Sequence, residues 1–222
     1  MNEVTPPPDD REERDDDDEL DEANRAVDGR RARGRGTRQR LIDVAREQFG
    51  RRGYDGTSIA GVLDAAGLAK GALYHHFESK AALFDAVLDD VVAEVAAVAA
   101  AAARVERDPL AQLRAGCFAW LELAVDPAVQ RIALVDSPSV VGWARWRELD
   151  DRYVLRGMRA SMERLAADGR VQREHVTLFA HMVLAAVNEA ALMIASADDP
   201  DSALDEGKRA VDVLLARLAM TR

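Results

Sequence analysis

TSIAGVLDAAGLAKGALYHHFESKAALF, residues Thr57 to Phe84, reads as two short helices joined by a glycine turn, with a third helix opening at its end. Thr57 is a good N-cap, so a helix is expected to start after it and to run to about Ala66. Gly67 can take the positive φ of a sharp turn at no Cβ penalty. The second helix covers about Lys70 to Phe77, and Ser79 caps the next one. Two short helices around a tight glycine turn form a helix-turn-helix pattern. Ile59, Leu63 and Leu68 fall where they can pack the pair against Phe49 of the preceding helix. Lys70, Gly71, Ala72, Tyr74 and His75 then face outward near the N-terminal end of the second helix. Small residues there admit the backbone to base edges, and Lys70 can reach a guanine. Tyr74, His76 and Lys80 suit phosphates.

Upstream, Leu41, Ile42, Ala45 and Phe49 form the apolar face of a helix from about Thr37 to Arg52, and Gly53 sits where a glycine stop belongs. The formal net charge of -10 argues at first against DNA. Its distribution reverses that. Residues 1 to 28 hold 13 Asp/Glu and 3 Arg, whereas residues 29 to 80 carry 11 Lys/Arg against 5 Asp/Glu. A basic block thus lies between an acidic tail and an acidic body, as expected when one part faces phosphate. Residues 1–28, with Pro6 to Pro8 and the run Asp15 to Asp18, are expected to be a disordered acidic tail. Residues 29–36 read as a flexible basic arm.

In these residues the chain resembles the TetR family of one-component bacterial transcription regulators. The likeness is carried by Thr57 to Phe84 and by IDVAREQFGRRGYDG, Ile42 to Gly56, before it. Phe49, Gly53, Tyr54, Thr57, Ile59, Ala60, Ala66, Gly67 and the block LYHHF-x-SK make the match more specific than a generic helix-turn-helix. The resemblance implies that Lys70, Gly71 and Ala72 lie at the major groove, and that Thr57, Tyr74, His76 and Lys80 contact the backbone. It assigns Leu73 and Phe77 to anchoring the recognition helix. Two positions depart from the family pattern. Ala69 stands where many members cap this helix with Ser, and Ala81 where many have Glu.

The rest reads as helices with short breaks and no convincing strand. Asp108-Pro109, Asp126-Pro127 and Asp199-Pro200 are cap-plus-proline starts. Breaks are expected near Ser137-Pro138 and at Asp168-Gly169. The expectation is an all-α chain of about nine helices: a three-helix, homeodomain-like DNA-binding domain at 37–82 and a ligand-binding and dimerisation domain at 83–222. The family resemblance gives the second domain its role. Candidate pocket liners are Phe118, Trp120, Trp143, Trp146, Met158, Met162, Phe179 and Met182, with His181 and Asn188 as polar groups. Each is equally readable as core. Phe179, Val183, Ala186, Val187 and Ala190 form one long apolar face, and Val211, Leu214, Leu215 and Leu218 another. The resemblance implies that these last two helices pair with their mates in a homodimer.

No nucleotide-binding or nucleophile-elbow motif is present, so neither an enzyme nor a cofactor is expected. His75 and His76 point about 100° apart on a helix and do not converge on a metal. Cys117 stands alone, and a buried apolar role is expected for it. The stretch Val91 to Ala103 is too short for a membrane span and is interrupted by Glu94, so a soluble cytoplasmic protein is expected. The expected partners are a palindromic double-stranded DNA operator, an unidentified small-molecule effector and a second copy of the chain. The leading reading is a ligand-responsive repressor. An activator or corepressor-dependent regulator has the same module, and a binding or scaffold protein that has lost DNA recognition is hinted at only by Ala69.

Overall fold

The computed structural model describes residues 12–219, with side-chain surroundings from Gly34 onward. Every regular element among them is helical. In order these are α1 (Glu12–Gly56), α2 (Ile59–Ala66), α3 (Lys70–His76), α4 (Lys80–Val105), α5 (Pro109–Leu123), α6 (Pro127–Gln130), α7 (Ser137–Val140), α8 (Gly142–Leu149), α9 (Arg156–Ala167), α10 (Val176–Ala195) and α11 (Pro200–Leu218). A π-helical turn, Arg131–Asp136, joins α6 to α7, and another, Asp150–Leu155, joins α8 to α9. The segments therefore merge into nine rods, as the sequence pattern implies.

α1 starts much earlier than expected. It takes in residues 12–36, which the sequence assigns to a disordered tail and a flexible arm. Those residues contain no proline, and ten of them are Glu or Arg, which are compatible with helix. Residues 1–11 of the expected tail lie outside the described residues. At its other end the helix stops where the glycine predicts: Gly53 is non-helical, with φ 71° and ψ 174°. Its positive φ is what demands glycine; a Cβ there would meet only the mobile end of Arg131, at 2.8 Å from Nη1.

The caps follow the sequence with one correction. Asp108, Asp126 and Asp199 each accept a backbone N–H from the turn they open. Helix α2, however, is capped by Ser58, whose hydroxyl accepts from Gly61 N at 3.1 Å. Thr57 is 3% exposed and faces inward. A second correction concerns Ser137-Pro138, which does not break the chain. Pro138 sits in the first turn of α7, where its missing N–H is tolerated, and Ser137 Oγ donates to Ala133 O at 2.7 Å. The rod ends instead at Gly142.

Two apolar cores result. The first unites α1, α2, α3 and the first half of α4 around Leu41, Phe49, Leu73, Leu83 and Phe84. It also takes in Val129, Ile132 and Ala133 from the α6 rod, so the N-terminal head is built onto the body. The second core packs α5, α9, α10 and α11 around Leu121, Met162, Leu165, Val187 and Ile194. The head is seated closely. A Cβ on Gly50 would lie 2.4 Å from Ala128 Cβ on α6, and Tyr54 N donates to Asp136 Oδ2 at 2.8 Å.

α10 is apolar and long enough to cross a membrane by composition alone. Here it packs against α5, α9 and α11. Val183 and Val187, read from the sequence as part of a face for a partner, are buried within the chain. Val211 and Leu215 of the second expected face are buried as well; what stays exposed is Leu178, Met182 and Met193 on α10 and, on α11, Val213 together with Leu214 of that face.

Gly50→Ala should destabilise the protein by about 1–3 kcal/mol in urea titration through overpacking against Ala128. Gly157→Ala, where a Cβ meets no atom within 4 Å, should instead stabilise by about 0.5–1 kcal/mol. Asp150 supplies a pH test. Burial, with Asp151 adding repulsion, pushes its carboxyl up to about 7. The folded state then holds this proton more tightly than the unfolded chain does. Its contribution to stability is therefore lost as pH rises from about 4 to about 7. Asp150→Asn should raise stability at pH 8 by on the order of 2 kcal/mol and change little at pH 4.

Candidate nucleic-acid interface and effector cavity

The turn between α2 and α3 forms as its glycine suggests. Gly67 has φ 63° and ψ 35°, and its N–H bonds to Asp64 O while Leu68 N–H reaches Leu63 O. Leu73 and Phe77 are buried at 0% and 5% exposure and fix α3 to the head core. Lys70, Gly71, Tyr74 and His75 are exposed on the opposite side, with Ala72 and His76 half-buried. A side chain on Gly71 would meet no protein atom within 4 Å. Nothing inside the molecule therefore requires this position to be small. Ala69 is the N-cap of α3 and makes no side-chain capping bond.

Basic residues of α1 flank this surface. The Arg38 guanidinium lies 5.2 Å over the Phe77 ring, and Arg40 reaches toward the Gly67 turn. Arg35, Arg38 and Arg40 are all exposed. The sequence places them only in a basic run; their position beside α3 depends on where α1 crosses the head. His76 is held below the usual histidine range by burial, and then by the neighbouring His75 and Arg38.

Two residues read from the sequence as phosphate contacts turn inward. Thr57 Oγ1 donates to Gly53 O at 2.8 Å. Lys80 Nζ donates to Tyr54 O at 2.9 Å and Thr57 O at 3.1 Å, and sits 4.0 Å from the Tyr54 ring centroid. The physical reason is the end of α1. The chain turns at Gly53 and leaves carbonyls that need donors, and these two side chains supply them.

In the body, an apolar cavity of about 610 Å³ opens between α4, α5 and α9. Of the ten liners expected from the sequence, Trp120 and Met158 reach it. Asn188 does not line it but holds Trp120, accepting from its Nε1 at 2.9 Å. Met162 is buried in the second core. Phe118 lies beneath Lys208, and Phe179 packs by His175. His181 Nε2 lies 2.9 Å from Arg159 Nη2. Trp143 is 62% exposed and meets Trp146 edge-on, and Trp146 donates to Ala133 O. Met182 is also exposed. Sequence reasoning looked for large side chains, whereas this space exists because α4 presents Ala96, Ala99, Ala100 and Ala103. The periodic alanines were the available signal. Cys117 also lines the cavity, and burial pushes its thiol up to about 12, which makes it inert.

A charged seam of about 500 Å³ has Arg38 of α1 and His76 of α3 on one side, Asp85 and Asp89 of α4 on the other, and Arg145 of α8 beside them. Arg145 bonds both oxygens of Asp85, at 2.7 and 3.2 Å, and reaches Asp89 and Glu148. Tyr153 lines the cavity and donates to Asp89 Oδ2 at 2.9 Å.

Residues 41–87 match the family described as bacterial regulatory proteins, tetR family, and residues 110–218 match a tetracyclin repressor-like C-terminal domain. A TetR-family transcriptional regulator from Pectobacterium atrosepticum has a similar crystal structure. It is 34% identical with a TM-score of 0.73, over 85% of this chain and 96% of that one. The HTH-type transcriptional repressor KstR2 of Rhodococcus jostii (strain RHA1) is 43% identical over 53 residues, 24% of this chain and 26% of that protein. The probable HTH-type transcriptional regulator ArpR of Pseudomonas putida is 35% identical over 103 residues, 43% of this chain and 47% of that protein. The chain thus spans about a quarter to a half of the length of these two curated relatives.

The α3 geometry separates recognition from stability. Gly71→Leu should leave the melting temperature unchanged or higher while weakening binding to a DNA site by tenfold or more, measured by fluorescence anisotropy. Ala69→Ser should add about 1 kcal/mol of stability by capping α3, read from urea midpoints.

Proposed function

This chain belongs to the TetR family of bacterial transcriptional regulators, and on that premise we propose that it is a ligand-responsive homodimeric repressor of a palindromic operator. The observation that carries the reading is the outer face of α3. Lys70 and the small residues Gly71 and Ala72 leave its first turn open to a major groove, although no internal packing demands a glycine there. In this reading Lys70 pairs with a base edge, while Tyr74, His75 and His76 meet sugar and phosphate. Arg35, Arg38 and Arg40 add charge beside them. Thr57 and Lys80 serve by fixing the α1–α2 turn from behind.

One recognition helix reads only a few base pairs, so specificity requires two copies on related half-sites. The apolar stripe of Leu178, Met182, Met193, Val213 and Leu214 supports α10 and α11 as the faces that pair. The effector occupies the cavity between α4, α5 and α9. Tyr153 touches that cavity and bonds to Asp89, so an effector that displaces its hydroxyl alters the ion cluster on the first half of α4. That half belongs to the head core. Operator affinity then falls by the difference in effector affinity between the two arrangements.

Anisotropy titration with DNA from the chain's own upstream region should give a sequence-specific complex whose affinity falls steeply with salt. A complex indifferent to sequence would sink the reading. Met182→Asp combined with Met193→Asp should yield a monomer in light scattering and reduce operator binding at least a hundredfold. A dimer that survives this change would move the interface elsewhere.

A further inference from the structure

We propose that the cavity takes an apolar monocarboxylate, anchored by Arg164 with its body lying along the alanines of α4. This deepens, and rests on, the reading of the cavity as the effector site.

The charge of the wall comes first. Two arginines, Arg104 and Arg164, line the cavity, and no Asp or Glu does so among the described residues. Elsewhere, four arginines that cross between elements meet carboxylates: Arg46 to Glu94, Arg114 to Asp212, Arg145 to Asp85 and Arg170 to Asp108. Arg164 crosses from α9 to α5 to a neutral group instead. Its Nη2 donates to Gln112 Oε1, and at 3.1 Å to Ser161 Oγ. A guanidinium offers five donors in a planar fork that fits a carboxylate in two-point fashion. Arg164, exposed at this end of the cavity, is therefore oriented by neutral partners, and its charge meets solvent that a ligand carboxylate would replace.

The shape comes second. Gln112 Nε2 donates to Glu106 O, just past the end of α4. Gln112, Arg104 and Arg164 therefore gather at one end of the cavity. Val95, Trp120 and Tyr153 stand at the other end. The cavity-lining stretch of α4 from Val95 to Arg104 spans about 13 Å, room for an acid of about eight to ten carbons. Between the two ends the lining is apolar and small-chained, with Leu113, Leu184 and Val187 facing the alanines. A charged head at one end and an apolar body along the rest is the ligand this wall complements. A cation finds no counter-charge here, and a sugar finds too few polar partners.

The test is calorimetric titration of the purified protein with decanoate, decanol and decylamine, each below its aggregation limit. Decanoate should bind at least about tenfold tighter than decanol, with decylamine weakest. Arg164→Gln should reduce decanoate to the affinity of the alcohol while leaving the alcohol unchanged, and Arg164→Lys should keep part of the preference. Gly157→Leu, introduced where a Cβ meets no atom within 4 Å, should weaken decanoate and decanol alike by filling the cavity. Equal affinity for acid and alcohol, or an Arg164→Gln variant that keeps the preference, overturns the proposal and leaves the effector cavity standing. If none of the three binds, while Gly157→Leu still prevents operator release by cell extract, the carboxylate is again overturned and the cavity reading survives. If Gly157→Leu leaves that release intact, the cavity reading fails as well.

Discussion

The seating of α1 on α6 is the constraint on which the rest depends. At Gly50 the two helices approach so closely that even a methyl group would collide with Ala128. Three residues on, Gly53 turns the chain at a positive φ of 71° that L side chains rarely adopt. The bond from Tyr54 N to Asp136 then ties the end of α1 to the π-helical turn of the body. Lys80, reaching back to Tyr54 and Thr57, closes the same corner from the start of α4. The head therefore has a fixed orientation relative to the body. Without such a joint, two recognition helices in a dimer could hold no defined spacing.

α4 extends that constraint over a distance. Its first half is buried in the head core with Phe49 and Leu73, and its second half forms the alanine wall of the cavity. On the outer side of that first half lie Asp85 and Asp89, held by Arg145, Arg152 and Tyr153. These contacts are partly exposed and individually worth little. Their importance is geometric, since they connect the cavity wall to the seam beneath the head.

Much of this was legible in the residues. The Gly67 turn, the stop at Gly53 and the aspartate caps followed by proline are local devices, and local devices can be read one residue at a time. Leu73 and Phe77 were placed correctly because their spacing puts them on the inner side of a short helix. For Thr57 and Lys80 the sequence does not say whether a polar side chain faces solvent or a stranded carbonyl, because that depends on how the α1 corner closes. Pro138 was read as a break because a proline's tolerance depends on its position within a turn. The cavity was the largest gap. Aromatic residues draw attention in a sequence, but Trp143 lies at the surface and Met162 is in the core, while the space itself is left by small residues. The choice between the two faces of α10 likewise required its neighbours.

The outer face of α3 has one further consequence. Lys70, Gly71, Tyr74 and His75 contribute little to the core, which is held by Leu73 and Phe77 on the other side. On the proposed function, a mutation on the outer face changes which DNA is read without first threatening the fold. Such a scaffold can acquire a new target site by drift, in single steps, each of which yields a folded protein. The same independence makes this helix face a natural place to graft a different operator preference onto an unchanged sensor.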